Sequence, residues 1–240
     1  MQKSAKIALI ACVVVVLGGG LAFWWFVLRD TAPEKASLSA IGGGATTTAA
    51  AGPAGSGGGS SSASADGTWT VAKGSDVFAG YRMQEQFGGE TVKKEAAGRT
   101  PEVSGTLTVQ GSTIPSANVT ADLSRLASDR TQRDNAIKTR GLETERFPTA
   151  TFELTEPITL PGPPQVGQSV SVTARGDLTL HGVTKPAELA LQAEWKGDTI
   201  AVAGGTTVVL ADFGIDKIST PFVTIDDRGE LEVQLVFTRT

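Results

Sequence analysis

From Thr68 to the C-terminus, apolar residues fall at every second position in segments separated by clusters of Gly, Pro and Asp. A period of two places successive side chains on opposite faces of a strand, so these segments are predicted to be half-buried β-strands. Val170, Val172, Ala174, Leu178 and Leu180 share one face, and Ser171, Thr173, Arg175, Asp177 and Thr179 share the other. The next segment sets Ala187, Leu189, Leu191, Ala193 and Trp195 against Glu188, Gln192 and Glu194. Ile200 with Val202 follows, and near the end Leu231, Val233, Leu235 and Phe237 oppose Glu232, Gln234 and Thr238. Earlier stripes run through Val77, Tyr81, Met83 and Phe87, then Val103, Leu107 and Val109, then Val119, Ala121 and Leu123, then Phe152 and Leu154. So many alternating segments predict an all-β antiparallel sheet with one dry face, closed as a sandwich or a barrel. The alternation breaks from Ser128 to Leu142, a polar stretch expected to form a short helix capped by Ser128. Phe147-Pro148 ends it and returns the chain to extended structure.

Ahead of this region the pattern changes twice. Ile7 to Leu28 carries no charge and is long enough to cross a hydrocarbon core of ~30 Å, so a single transmembrane helix is expected there. Lys3 and Lys6 precede it, while Arg29 and Asp30 cancel behind it, which keeps the N-terminus cytoplasmic and places the remainder outside the cell membrane. Trp24 and Trp25 suit the outer interface. Leu9-Ile10-Ala11-Cys12 has the form of a lipobox, but few apolar residues precede Cys12 and many follow it, so a permanent span is preferred to lipidation or secretory cleavage. Ala40 to Ala65 contains only Ala, Gly, Thr, Ser, Pro and one Ile, too little apolar area to offset chain entropy, and is expected to be a tether. The predicted order is a cytoplasmic tail at 1–6, a span at 7–28, a flexible linker at 29–66 and a β-domain at 67–240.

Composition narrows the function. The chain has 25 acidic and 21 basic residues, with both signs scattered, and so has no basic footprint for nucleic acid. One cysteine forms no internal disulfide and supplies no cysteine cluster for zinc.

Four blocks recur in an order that resembles a known family. They are Trp69-Thr70-Val71, then Ser128-Asp129-Arg130-Thr131-Gln132-Arg133-Asp134 with Phe147-Pro148-Thr149-Ala150-Thr151-Phe152, then Gly176 to Pro186, and finally Asp212-Phe213-Gly214-Ile215. Together they resemble the YceI-like family of lipid- or polyisoprenoid-binding proteins, from Trp69 to Thr240. The resemblance implies an elongated, lipocalin-like, eight-stranded antiparallel barrel with a short helical insertion. Its interior would hold an isoprenoid chain such as a quinone tail or a polyprenyl phosphate. Many members carry a His-Ser pair after the first tryptophan, whereas Lys73-Gly74-Ser75 stands here, so that contact does not transfer.

His181, the one histidine, reads as a turn residue rather than a metal ligand. The chain has no Gly-x-Ser-x-Gly elbow, and no enzymatic activity or cofactor is expected beyond a bound isoprenoid lipid or quinone. Asp226-Asp227-Arg228-Gly229 reads as a solvated hairpin. Arg133 and Arg140 are candidate contacts for a lipid headgroup, with a surface ion-pair network to Asp129 and Asp134 as the competing reading. An alternating stripe fits a packed core as well as a tunnel wall. If the barrel is hollow, Tyr81, Met83, Phe87, Leu107, Phe152, Leu178, Leu180, Leu191 and Trp195 would line it. The expected partners are therefore a polyisoprenoid-type lipid and the cytoplasmic membrane. A ligand-free envelope interaction module on the same tether is the alternative.

Overall fold

In a computed structural model, residues 32–41, 64–88, 91–216, 219 and 223–240 are described. The expected span at 7–28 lies outside them, as does most of the linker. Among the described residues no helix is long and apolar enough to cross a membrane.

The alternating segments become strands: β1 (Gly67–Val71), β2 (Phe78–Phe87), β3 (Lys94–Thr100), β4 (Val103–Gln110), β5 (Thr113–Asp122) and β6 (Ala127–Ser128). A short helix, α1 (Thr131–Ala136), continues into a wider π turn at Ile137–Gly141. Then come β7 (Thr149–Leu154), β8 (Ile158–Thr159), β9 (Ser169–Leu180), β10 (Val183–Trp195), β11 (Thr199–Val209) and β12 (Val223–Arg239). All pairings between these strands are antiparallel, and β1, β4, β5, β7, β9, β10, β11 and β12 close a ring of eight. Closure removes the open edges that would otherwise invite pairing with another chain. β12 is long enough to serve two neighbours: its last residues pair with β1, Val71 facing Phe237, and the rest pairs with β2, Phe78 facing Gln234. The hairpin of β2 and β3 thus extends the wall beyond the ring, and β3 pairs onward with β6.

The core forms where the in-facing stripes meet. Trp69 is fully buried, its indole N–H donating to the Ala65 carbonyl at 2.9 Å while the Arg239 guanidinium lies 4.5 Å from its ring centre. β9 and β10 are joined through His181 and Gly182, at φ 53° and 74°, the left-handed pair that matches the twist of a two-residue hairpin. His181 is therefore a turn residue. Its Nδ1 sits 3.1 Å from the Phe213 carbonyl oxygen and its Nε2 2.8 Å from Glu143 Oε2.

Three expectations are corrected. The helix starts at Thr131, with no side-chain cap from Arg130. Ser128 instead belongs to β6, where its N–H and hydroxyl donate to the Asp134 carboxylate at 2.9 and 2.6 Å, so the acid reaches back to the serine. Asp226 to Gly229 is not a hairpin but a bulge within β12: Ile225 faces Glu85 and Gly229 faces Met83, and Asp226 accepts from Lys93 Nζ. Within the stretch expected to be a linker, Pro33–Ile41 lies as a strap along the outer face of the sheet. There Ala36 N–H donates to Glu232 at 3.1 Å, Ser37 N–H donates to Gln234 at 3.2 Å, and Lys196 Nζ donates to the Ile41 carbonyl at 3.2 Å. Pro33–Thr240 is one compact unit with its own hydrophobic core, as an autonomously folding domain requires.

Candidate functional site: an apolar cavity inside the barrel

The in-facing side chains do not fill the ring. They enclose a cavity of about 550 Å³, within the ~300 to 1,000 Å³ range of small-molecule sites. The two ends of β5 show how far it reaches. Thr113 pairs with β8 beside the loop at 161–168, whereas Asp122 leads toward α1. The lining includes Pro161 to Gln165 at the first end and Arg133, Ile137 and Leu142 at the second, so the space runs along the barrel from one to the other.

Eight of the nine expected wall residues line this cavity: Tyr81, Met83, Leu107, Phe152, Leu178, Leu180, Leu191 and Trp195. Phe87 does not. It lies at the end of β2, where Lys94 Nζ and the Arg130 guanidinium each stand 5.4 Å from its ring centre. Of the two candidate arginines, Arg133 lines the cavity and Arg140 is exposed and does not. Sequence reading missed Leu126, just before the polar insertion, Ile137 and Leu142, which turn inward from it, and the loop rich in proline. The signal was an apolar residue recurring among charges.

The helical end is polar but electrically occupied. Arg133, with a side chain 10% exposed, grips both oxygens of Glu85, Nε to Oε1 at 2.7 Å and Nη2 to Oε2 at 2.9 Å. Its Nη1 donates to Asp129 and, at 3.2 Å, to Ser128 Oγ. Arg133 thus sits in a buried ion-pair network whose main partner is Glu85 rather than Asp134. Burial would lower the Arg133 pKa, yet the hydrogen bonds to Glu85 and Asp129 outweigh it, so the group stays charged. Tyr81 is 8% exposed and lies across Gly98, where a Cβ would fall 2.9 Å from its hydroxyl oxygen. Among the described residues its hydroxyl is a buried side-chain polar atom with no hydrogen-bond partner, and burial pushes its pKa up.

A closed antiparallel barrel around an apolar cavity defines the lipocalin-like class of β-barrels. The YceI-like domain model matches residues 69–237, and the chain belongs to that family. A UPF0312 protein of Vibrio vulnificus is 34% identical over 110 residues, covering 43% of this chain and 54% of the relative. One from Azotobacter vinelandii is 36% identical over 97 residues, covering 38% and 47%. The chain thus spans about half the length of the curated relatives it matches. A polyisoprenoid binding domain from Saccharophagus degradans, implicated in plant cell wall breakdown, has the same fold. It superposes with a TM-score of 0.55 at 16% identity, over 72% of this chain and 98% of that one.

Proposed function

We propose that the barrel binds a long-chain apolar lipid of the polyisoprenoid type in its cavity, and that the N-terminal segment at 7–28 holds it at the outer face of the cytoplasmic membrane. The cavity itself carries this reading. Packed interiors leave few voids larger than a water molecule, so a continuous apolar space of about 550 Å³ fits a guest better than a ligand-free interaction module. The polyisoprenoid binding domain that shares the fold supports the choice of guest. At about 25 cal/mol per Å² of apolar surface withdrawn from water, a tail of several isoprene units would bind tightly even after ordering costs. The role is binding, for storage or transport, and not catalysis.

Native mass spectrometry of the full chain purified from its native membrane tests the central claim, with a bound lipid as the expected result. Leu191→Trp should obstruct the cavity and lower lipid occupancy while leaving the stability of delipidated protein nearly unchanged. In a packed core the same added volume would cost about 1 to 3 kcal/mol. No bound lipid in the wild type, together with a strongly destabilised Leu191→Trp, would return the choice to the interaction module. The anchor is tested separately: the full chain and its Cys12→Ser variant should both stay in the membrane fraction through alkaline carbonate, and release of either rejects a permanent span.

A further inference from the structure

Tyr81 stands out because its hydroxyl has no partner among the described residues. A buried hydroxyl without a partner is costly, and folded proteins rarely keep one without a use. This one belongs to a residue that lines the cavity, at the end where Glu85 and Arg133 also line it. The cations there are already spoken for. Arg133 is held by Glu85 and Asp129, Arg130 Nε lies 3.7 Å from Asp129, and Asp134 adds a third carboxylate a few residues along. A phosphate placed here would have to displace a carboxylate from Arg133, leaving that acid buried and unpaired. An uncharged acceptor would meet no such obstacle, and a protonated phenol can donate to it.

We infer that the Tyr81 hydroxyl is the headgroup donor of the cavity, and that the lipid it selects bears an uncharged carbonyl oxygen, as in a quinone ring or an amide, rather than a phosphate. This rests on the lipid-binding reading of the same cavity. Tyr81 and the bare backbone of Gly98 fix the phenol in place, so the donor is positioned before any guest arrives. The hydroxyl is covered by its neighbours, so the proposal requires that cover to give way to the acceptor.

The test uses residues 33–240, delipidated, with three probes of equal tail length: a prenyl benzoquinone, a prenyl phosphate and the parent hydrocarbon. The chain has a single tyrosine, so labelling tyrosine with ¹³C at Cζ yields one resonance for this one hydroxyl. The quinone should move that resonance downfield and the hydrocarbon should not, although both bind. The phosphate should bind roughly tenfold or more weakly than the quinone. Tyr81→Phe should weaken quinone binding roughly three- to tenfold, the range for one neutral hydrogen bond, and leave hydrocarbon binding unchanged. Equal shifts with quinone and hydrocarbon, or equal losses for all probes in Tyr81→Phe, reduce Tyr81 to a piece of wall and overturn the proposal. Phosphate binding at least as tight as quinone overturns the uncharged head. If none of the three probes binds, the lipid-binding reading itself fails, and this inference with it.

Discussion

Tyr81 and Arg82 are neighbours on β2, both less than a tenth exposed, and they face opposite sides of the wall. On the outer side Arg82 is saturated: Nε donates to Glu232 at 2.9 Å, Nη1 to Glu95 at 2.5 Å and Nη2 to the Pro33 carbonyl at 2.5 Å. Glu232 in turn accepts from Arg99 Nε at 2.8 Å and from the Ala36 N–H, and Arg99 reaches the Glu34 carbonyl. On the inner side the only polar atom of the Tyr81 side chain has no partner among the described residues. Both faces bury polar groups, yet only one completes their bonds. The outer face uses its charges to hold the strap, whereas the inner face is mostly apolar along the barrel and keeps a donor unspent. A surface that binds its own chain saturates its polar groups, and one that admits a guest leaves a bond to be made.

The sharpest way to break this contrast is Glu232→Leu. Removing the shared carboxylate leaves buried Arg82 with Glu95 as its one acid and takes the ion-pair partner of Arg99, which should destabilise residues 33–240 by about 3 kcal/mol in a denaturant titration. A loss below about 1 kcal/mol would mean that the outer cluster is not a structural requirement.

A smaller loss, roughly 1 to 3 kcal/mol, is expected when Pro33–Ile41 is replaced by Gly and Ser, because Arg82 and Glu232 keep each other while water replaces the strap. Acid should act on the same cluster. Burial would raise the Glu232 pKa, but hydrogen bonds from Arg99, Arg82 and the Ala36 N–H outweigh it and hold the carboxyl below its usual range. A lowered folded-state pKa contributes stability that is complete above the unfolded value, near ~4.3, and is lost as pH falls through the folded one. Denaturant titrations from pH 6 downward should show that loss, and Glu232→Gln should flatten it.

The inner face should respond least. Tyr81→Phe removes an unpaired buried hydroxyl, so the delipidated protein should keep its stability within about 0.5 kcal/mol or gain slightly. Because burial raises its pKa, the phenol of the folded protein should stay silent in an absorbance titration through the ordinary range near ~10. The sign follows: the unfolded chain ionises first, so stability falls as pH rises above that value. A phenol that titrates normally would show that water reaches the hydroxyl.

The barrel was legible in the chain wherever large apolar side chains alternate with polar ones, because the same alternation makes both a strand and a cavity wall. Leu178, Leu180, Leu191 and Trp195 were readable for that reason. β3 was not, for its sequence runs Lys94, Glu95, Ala96, Ala97, Gly98, Arg99 and Thr100 and both its faces are covered. Its inner side must stay small to receive Tyr81, and its outer side carries the charges that meet Arg82 and Glu232. The strap was hidden for a different reason. Much of its hold comes from main-chain carbonyls and N–H groups, which every residue has and no sequence pattern reveals. At the helical end the charges were visible but their pairing was not, since Glu85 and Arg133 are 48 positions apart.

The strap also changes what a protease could accomplish. Residues 42–63 are the only covalent route from Ile41 to the barrel, so a cut anywhere between them would yield two chains still joined by the bonds around Arg82, Glu232 and Gln234. Before the cut, a short connection presents the strap at an effective concentration in the millimolar range, and afterwards its hold depends on ordinary dilution. A nicked molecule would therefore persist where copies are crowded and come apart where they are sparse. Separation of the barrel from the residues before the cut would lag behind cleavage by the lifetime of the strap on the outer face of β12.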